Sequence, residues 1–275
     1  MDREPEFSFV DVDDSKDLLV YYPAIEKLFA SAFGQPLSRA MWDWAYQNNP
    51  FGSPLVSLAF HESELIGHYA VIPMNLDSKD RTLSGYLSMT TMVSSNYRGH
   101  NLFKELATRV YSRIESRGIE SVVFGFPNDQ SAPGFKKRLG WTVSEDFHVV
   151  ALKEENLEDV RDLLLHSDEA SYYLDLDNPK ISAWRTNKPN QEWEISEGIG
   201  IKKFSTELDL MFLRKGVVPN SLPIESTLNS ILPISKKQAE NLDLKISFPY
   251  HFGYRTFNMI DEPEFNVQMC MSDVF

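Results

Sequence analysis

The 275-residue chain has one cysteine, Cys270, and this scarcity excludes two kinds of architecture. A single thiol cannot build an internal disulfide framework, nor can it supply a metal site made only of cysteines. No apolar run approaches the roughly 18 residues of a membrane span. The first ten residues, MDREPEFSFV, carry charge where a secretory signal would be apolar. These absences predict a cytoplasmic protein without a membrane segment.

Positive charge is also in short supply. Lysine and arginine total 27 against 40 acidic residues, which gives a net charge of −13 and an isoelectric point near 4.9. Nucleic-acid and anionic-membrane binders need a basic surplus to neutralise phosphates, so neither partner is expected. A local basic pocket stays compatible with this composition. The 42% of hydrophobic residues predicts a well-filled core, and the length predicts about two domains.

The first half of the chain alternates patterns of strands and helices. Strands are predicted at FSFVDV, LVSLAFH, ELIGHYAVIPM, RTLSGYLSMTTMVSS, IESVVFGFP and WTVSEDFHVVAL, the second and third forming a hairpin. Helices are predicted at LVYYPAIEKLFASAF, RAMWDWAYQ and SAPGFKKRL. A further helix carries Leu102, Phe103, Leu106, Val110 and Ile114 on one face, at helical spacing.

Past residue 152 the composition changes. A charged helix is predicted at KEENLEDVRDLLLH, with strands at EWEIS, GIGIKKF and LDLMFL. Another helix is predicted within IESTLNSILPISKKQAENL, where Pro233 interrupts the pattern, and short strands follow to the end. We therefore predict one domain at 1–152 and a smaller α/β domain at 153–275.

The segment NYRGHNLFKEL, residues 96 to 106, joins a predicted strand to a strongly patterned helix. A helix N-terminus offers unpaired N–H groups and the positive end of the helix dipole. Gly99 permits close approach of the backbone, Asn101 tolerates a left-handed conformation, and Arg98 can reach phosphate oxygens. The loop is either an ordinary connection or a phosphate site, and the segment alone leaves both interpretations open.

Its surroundings resemble the GCN5-related N-acetyltransferase (GNAT) family over residues 7 to 152. The resemblance rests on WDWAYQNNPFG, NYRGHNLF and GFPNDQS, followed by a short helix and a Leu-Gly-aromatic exit. Past residue 152, YYLDLDNPKISAWR and the closing SDVF also resemble one branch of the family. The resemblance implies a mixed α/β sheet whose two central parallel strands splay apart, with acetyl-CoA in the gap.

The same resemblance implies the residues that contact acetyl-CoA. Met92 or Val93 would supply a backbone N–H to the thioester carbonyl. The loop would hold the pyrophosphate through Arg98, Gly99, His100, Asn101, Leu102 and Phe103, although Asn101 and Phe103 depart from the small residues of the family pattern. Asn128 would hydrogen-bond the pantetheine, or it would merely cap the following helix.

Acid and base residues are harder to place. The strand SGYLSMTTMVSS carries no carboxylate, so His68 on the neighbouring strand is one candidate base. A lone strand histidine is more often structural. Lys136 occupies the position of the family's acid, but it is equally a solvated lysine. The terminal carboxylate of Phe275 is the third candidate, and the competing interpretation is a final edge strand with Phe275 in the core.

Together these features predict an acetyl-CoA-dependent N-acetyltransferase that acts on a small amine, such as an amino sugar, and that needs no metal. The alternatives are a CoA-binding or ligand-sensing module without catalysis and a scaffold subunit with a vestigial pocket. A homodimer is left open.

Overall fold

The computed structural model describes residues 5–165, 170–204, 207–217, 219 and 227–272. Within these ranges the helices are α1 (Ser15–Leu19), α2 (Tyr22–Phe33), α3 (Arg39–Trp42), α4 (Leu102–Glu115), α5 (Ala132–Leu139), α6 (Arg161–Leu165), α7 (Pro179–Thr186) and α8 (Lys236–Asn241). The strands are β1 (Phe7–Val12), β2 (Leu55–His61), β3 (Glu64–Pro73), β4 (Leu76–Asp77), β5 (Thr82–Val93), β6 (Ser121–Gly125), β7 (Thr142–Ser144), β8 (Phe147–Leu152), β9 (Trp193–Ser196), β10 (Ile199–Phe204), β11 (Glu207–Leu213), β12 (Thr227–Pro233), β13 (Lys245–Pro249) and β14 (Phe252–Phe257).

By their contacts the residues divide into two compact units. The first comprises Met1–Met74, Ser84–Val123 and Thr256–Met259. The second comprises Asn75–Leu83, Phe124–Arg255 and Ile260–Phe275. These limits differ from a division at residue 152, and the domains predicted at 1–152 and 153–275 stay a prediction.

The first unit is built on a sheet in which β1, β2, β3, β5 and β6 lie side by side in that order. The predicted hairpin of β2 and β3 is confirmed, with antiparallel pairing from Leu55–Val71 to His61–Glu64. Its two-residue turn places Glu62 at a φ of 55°. Strand β5 pairs antiparallel with the other edge of β3, which leaves β3 inside the sheet.

Strand β3 presents alternate residues to two layers of helix. On one face, the hydroxyls of Tyr69 and Tyr111 of α4 lie 2.8 Å apart in a hydrogen bond. Gly67 is on this face as well, directly under Leu106 of α4. The ring of His68, between them in sequence, lies on the opposite face near Tyr46, with the ring centres 6.5 Å apart. The period of two along a strand explains this division.

Helix α4 is the long helix that the sequence predicts, and its apolar residues Leu102, Leu106, Val110 and Ile114 are buried. Two arginines tie its outer side to the sheet. Arg109 Nη2 donates to Asp11 Oδ2 of β1 at 2.7 Å, and Arg113 Nη2 donates to the Val56 carbonyl of β2 at 2.9 Å. Packing and these bonds fix the position of α4 on the sheet.

The second unit contains a six-stranded sheet with the order β13-β8-β12-β11-β10-β9. Strands β11 and β12 run parallel, while the other neighbours pair antiparallel. Its core is aliphatic and includes Val150, Leu152, Leu208, Leu228 and Leu232. The predicted α/β class with mixed sheets, including a second body of strands after residue 152, is confirmed.

One predicted strand is wrong as a single element. WTVSEDFHVVAL forms β7 and β8, which belong to different sheets, since β7 pairs with β14 and β8 lies between β12 and β13. The break falls at the exposed pair Glu145 and Asp146. There the Ser144 hydroxyl accepts from the Asp146 N–H at 3.2 Å, which closes a local turn.

Two predicted helices are present but shorter than the segments in which they are predicted. Residues 227–233 form strand β12, and the helix α8 begins only at Lys236, with Ser235 and Gln238 capping it reciprocally. Sheet pairing of β12 on both sides outweighs a weak helical pattern. The charged helix after residue 152 reduces to a 3₁₀ turn at Glu154–Asn156 and the short α6.

Beyond Phe257, the described residues form no further named strand and end in a 3₁₀ turn at Met269–Met271. The prediction of short strands to the end is therefore right only as far as β14.

Candidate functional site

Strand β5 of the first unit bends sharply at Thr90. The φ of this residue is 52°, in the left-handed region that β-branched residues rarely occupy. Pairing with β3 shifts at the same place, because His68 lies opposite Met92 whereas Ala70 lies opposite Met89. Two residues of β5 therefore face one residue of β3, which is a β-bulge.

Two hydrogen bonds hold Thr90 in this conformation. The hydroxyl of Tyr46 bonds to the Thr90 hydroxyl, and Nδ1 of His68 lies 2.7 Å from the Thr90 carbonyl oxygen. A carbonyl only accepts, so Nδ1 is the nitrogen that carries the proton. Nε2 of His68 is then a bare acceptor, buried and without a partner among the described residues.

The environment of His68 keeps its ring neutral. The side chain has no exposed surface, and burial lowers its pKa to about 4, against the smaller opposite effect of the Thr90 carbonyl. Tyr46, with 1% exposure, belongs to a π-helical turn at Asp43–Gln47 that continues α3. The sequence WDWAYQ thus supplies a hydroxyl to the bend of β5.

Beyond the bulge, successive N–H groups of β5 point alternately toward β3 and away from it. The Ser94 N–H donates to the Ile66 carbonyl of β3 at 2.8 Å. Successive N–H groups of a strand point to opposite edges, so the Val93 N–H points away from β3. Of the two predicted donors to a thioester, the direction of Val93 fits this role and that of Met92 does not.

The loop after β5 has the conformation that its sequence predicts. A 3₁₀ turn at Ser95–Tyr97 leads to the exposed Arg98, and Gly99 has a φ of 97°. Asn101 has a φ of 60°, and its side chain makes no capping hydrogen bond. The first main-chain helical bond runs from the Glu105 N–H to the Asn101 carbonyl, at 3.1 Å. The N–H groups ahead of Glu105 in the first turn lack partners within the helix.

Aromatic residues of this loop pack against the edge of the sheet. The Tyr97 hydroxyl lies 3.0 Å from Nδ1 of His61, at the end of β2. The ring of His100 packs edge-on against Phe7 of β1, with centres 5.5 Å apart. We call Phe7, His61, Tyr97 and His100 the Phe7 cluster. His100 thus has a packing partner in addition to its predicted place beside phosphate.

The hydrophobic side chains of the predicted set are buried or half-buried. The side chains of Met92 and Leu102 are each 2% exposed and belong to the core, while that of Phe103 is half-buried. These side chains offer no polar group to a ligand, and the Met92 N–H faces β3.

Two further predicted residues, Asn128 and Lys136, lie in the second unit. Asn128 accepts from the N–H groups of Gln130 and Ser131 at 3.1 and 2.9 Å, within the turn that precedes α5, whose N-cap position is Ser131. Lys136 is exposed, with its Nζ 3.8 Å from Glu145 Oε1. Phe275 lies outside the described residues.

Sequence reasoning missed two kinds of residue. Thr90 gives no local signal, because its strain arises from pairing across the sheet. No sequence motif points to His251, in the second unit, yet its Nε2 lies 2.7 Å from Asp129 Oδ1. The two residues are 122 positions apart, and no spacing rule connects them.

Neither metal ligands nor membrane spans emerge from the part of the chain that is described. No group of three or more histidine, cysteine or acidic side chains in it is arranged to hold a metal ion. No helix in those ranges has the length and apolar character to cross a membrane.

Solved structures share this fold. A GCN5-related N-acetyltransferase from Kribbella flavida superposes with a TM-score of 0.61 at 12% identity, over 92% of this chain and 72% of that one. A protein from Enterococcus faecalis V583, described as a probable N-acyltransferase of unknown function, gives 0.62 at 8% identity, over 92% and 73%. A GCN5-related N-acetyltransferase from Anabaena variabilis ATCC 29413 gives 0.59 at 11% identity, over 90% and 72%.

At these identities the likeness establishes the fold. No curated protein matches the chain. The family model for an acetyltransferase (GNAT) domain matches residues 21–144, which include the bulge of β5, the loop and α4. Residues 21–144 are therefore similar to the acetyltransferase domain of the GNAT family, and the chain shares the fold of GNAT structures.

Proposed function

We propose that this acetyltransferase transfers the acetyl group of acetyl-CoA to a small amine. One observation carries the proposal. In the first unit, a strand whose Val93 N–H points away from β3 continues directly into an exposed Arg-Gly loop and the N-terminus of α4. An N–H donor for a thioester and a cradle for phosphate therefore lie on one continuous stretch of backbone.

The cradle suits the pyrophosphate of CoA. The first-turn N–H groups of α4 and the helix dipole favour an anion at this end. Left-handed conformations at Gly99 and Asn101 turn the chain around the helix start. The exposed guanidinium of Arg98 can add charged hydrogen bonds to phosphate oxygens. His100, Leu102 and Phe103 complete the proposed loop.

The chemistry then follows from the position of the thioester. A neutral amine attacks the carbonyl carbon and forms the C–N bond, and negative charge develops on the carbonyl oxygen. The Val93 N–H would stabilise that charge. The C–S bond then breaks, the thiolate of CoA leaves and takes up a proton, and the amine nitrogen loses one to a base or to water.

His68, Lys136 and Phe275 stay proposals for the acid and base, as Asn128 does for the pantetheine. The structure adds little support to them, since Lys136 is solvated and the side chain of Asn128 is already engaged. His68 is the member of this group that lies beside the bulge, and its Nε2 has a free lone pair.

A small amine, such as an amino sugar, is the proposed acceptor. The sequence resemblance supports it, and the net charge of −13 favours a cationic acceptor over an anionic one. A cytoplasmic location and the absence of a nucleic-acid partner belong to the same proposal.

The second candidate function is CoA binding without turnover. It is favoured by the burial of His68, whose pKa near 4 makes it a weak base. Release of free thiol from acetyl-CoA, measured over a panel of amines, separates the two functions. Turnover on any amine supports the enzyme, and tight binding with no turnover on the panel supports the sensor.

The site itself is tested by reversing the charge of Arg98. Saturating CoA should stabilise the wild type by ~2.7 kcal/mol at a hundredfold excess over Kd. The Arg98→Glu variant should lose this thermal shift, because a carboxylate would lie beside the pyrophosphate. Lys27→Glu makes the same change of charge at an exposed site on α2 and should keep the shift. An undiminished shift in Arg98→Glu would remove the loop from consideration.

A further inference from the structure

The strained bend of β5 is held by two buried side chains, those of Tyr46 and His68. We call Tyr46, His68 and Thr90 the Thr90 lock. A β-branched residue at a φ of 52° persists only where its surroundings over-determine it, and such strain concentrates at functional sites. Here both polar ends of Thr90 have a partner, its hydroxyl with Tyr46 and its carbonyl with His68.

Both partners are themselves fixed. His68 is wholly buried in β3, a strand paired on both edges. The ring of Tyr46 packs against Trp42, with the ring centres 4.7 Å apart, and Trp42 packs in turn against Tyr22 at 4.9 Å. The lock therefore joins Thr90 to rigid elements on one face of the sheet.

The bulge changes which N–H groups of β5 face β3. Before the bulge, the Met74 N–H donates to the Gly85 carbonyl at 2.8 Å, so residues 85, 87 and 89 form hydrogen-bonded pairs with β3. Continued without a bulge, that register would pair Val93 with Ile66 and turn its N–H toward β3. The extra residue instead pairs Ser94 with Ile66. The Val93 N–H is released to the opposite edge for this reason alone.

We propose that Tyr46 and His68 are positioning residues, which hold Thr90 in its left-handed conformation and thereby aim the Val93 N–H at the thioester carbonyl. This inference rests on the proposed acetyl transfer. It gives His68 a role different from that of a base. The pKa of His68 of about 4 agrees with this role, because the ring stays neutral near pH 7 and brings no charge to the bulge.

Four variants test the lock. Tyr46→Phe removes one hydroxyl, and His68→Leu removes the donor to the carbonyl, so each should lower kcat by about a hundredfold through misplacement of the Val93 N–H, with little change in KM for acetyl-CoA. His68→Asn restores an N–H donor near the place of Nδ1 and should recover most of the kcat that Leu loses, with the pH profile of the wild type. Tyr22→Phe is the matched control, because its hydroxyl bonds to Glu26 and not to Thr90.

A spectroscopic readout keeps the test independent of turnover and of the amine. In protein labelled with ¹⁵N-valine, the Val93 amide should shift between the CoA and acetyl-CoA complexes of the wild type, and Tyr46→Phe should lose that difference. If the wild type shows this shift but acetylates no amine, the proposed function fails while the lock stands.

Three results would overturn the lock. One is no difference at Val93 between the two complexes of the wild type. Another is a kcat in Tyr46→Phe equal to that of Tyr22→Phe. The third is a His68→Asn variant as inactive as His68→Leu at every pH, which would make His68 the base.

Discussion

His68 shows how burial of one residue ties stability to pH. The unfolded chain takes up a proton on this ring near pH 6.5, whereas burial lowers the folded-state pKa to about 4. Between these values the unfolded state binds more protons, so stability falls as the pH falls through this window. Below the folded-state pKa of about 4, the contribution of the His68 ring to the free energy of unfolding is wholly lost.

We therefore predict that the wild type loses about 2 kcal/mol more than His68→Asn between about pH 7 and about pH 5. Urea unfolding of both proteins at the two pH values measures the difference. The Asn variant does not titrate at this position. The difference between the two proteins therefore removes the effect of the carboxylates that both contain on the free energy of unfolding. Parallel pH dependence in the two would show that His68 is not buried as a neutral ring.

Asn101 carries a second prediction at this scale. Glycine adopts a φ of 60° without strain, whereas a β-branched residue is strongly strained in this conformation. Because its side chain makes no capping bond, Asn101→Gly should retain CoA affinity, and Asn101→Val should lose it. Calorimetric titration decides the matter. A tenfold weaker Gly variant would mean that the amide of Asn101 contacts the ligand.

At the scale of elements, the approach of α4 to β3 depends on Gly67. A methyl group there would lie 2.8 Å from Leu106 Cδ1 and 3.2 Å from the Ala59 side chain. Leu106 is wholly buried, so it has little room to move. We predict that Gly67→Ala destabilises the protein by about 1–3 kcal/mol through overpacking.

Leu106→Val should relieve the close contact made by the methyl group that Gly67→Ala adds, because valine has no Cδ carbon. In the double variant the two losses should be less than additive by urea unfolding, as expected for residues in contact. Strict additivity would mean that Gly67 is required for a reason other than the helix.

At the scale of the whole chain, the pairing of strand β8 predicts the effect of ending the chain at residue 152. It ends at Leu152 and pairs with β12 on one edge and β13 on the other, and both strands come later in the sequence. A chain that ends at residue 152 leaves both edges of β8 unpaired and strips β7 of β14. We predict that this truncated chain is insoluble, because unpaired apolar strands aggregate.

Soluble yield relative to the full chain measures the effect. Supplying residues 153–275 as a separate chain should restore solubility by returning both partners of β8. A soluble, monomeric chain of residues 1–152 that binds CoA would instead confirm the predicted domain boundary.

Interactions between near neighbours in the sequence were enough to predict several elements in the first half of the chain. The hairpin of β2 and β3, the long α4 and the left-handed Asn101 follow from alternation, helical spacing and turn preference, which act between near neighbours. The corrected elements share a different origin. β12 became a strand because two distant strands pair with it, and WTVSEDFHVVAL split because its halves join separate sheets.

The candidate site divides in the same way. By itself, the sequence determined the acetyltransferase resemblance, the Arg-Gly loop and the helix that begins beside it, because these depend on residues within a few positions of one another. Only the tertiary structure decided that Val93 and not Met92 turns its N–H away from β3, and that His68 and Tyr46 meet at Thr90. Those facts arise from strand register and from contacts between residues 22 and 44 positions apart, and register is set by the packing of the whole sheet.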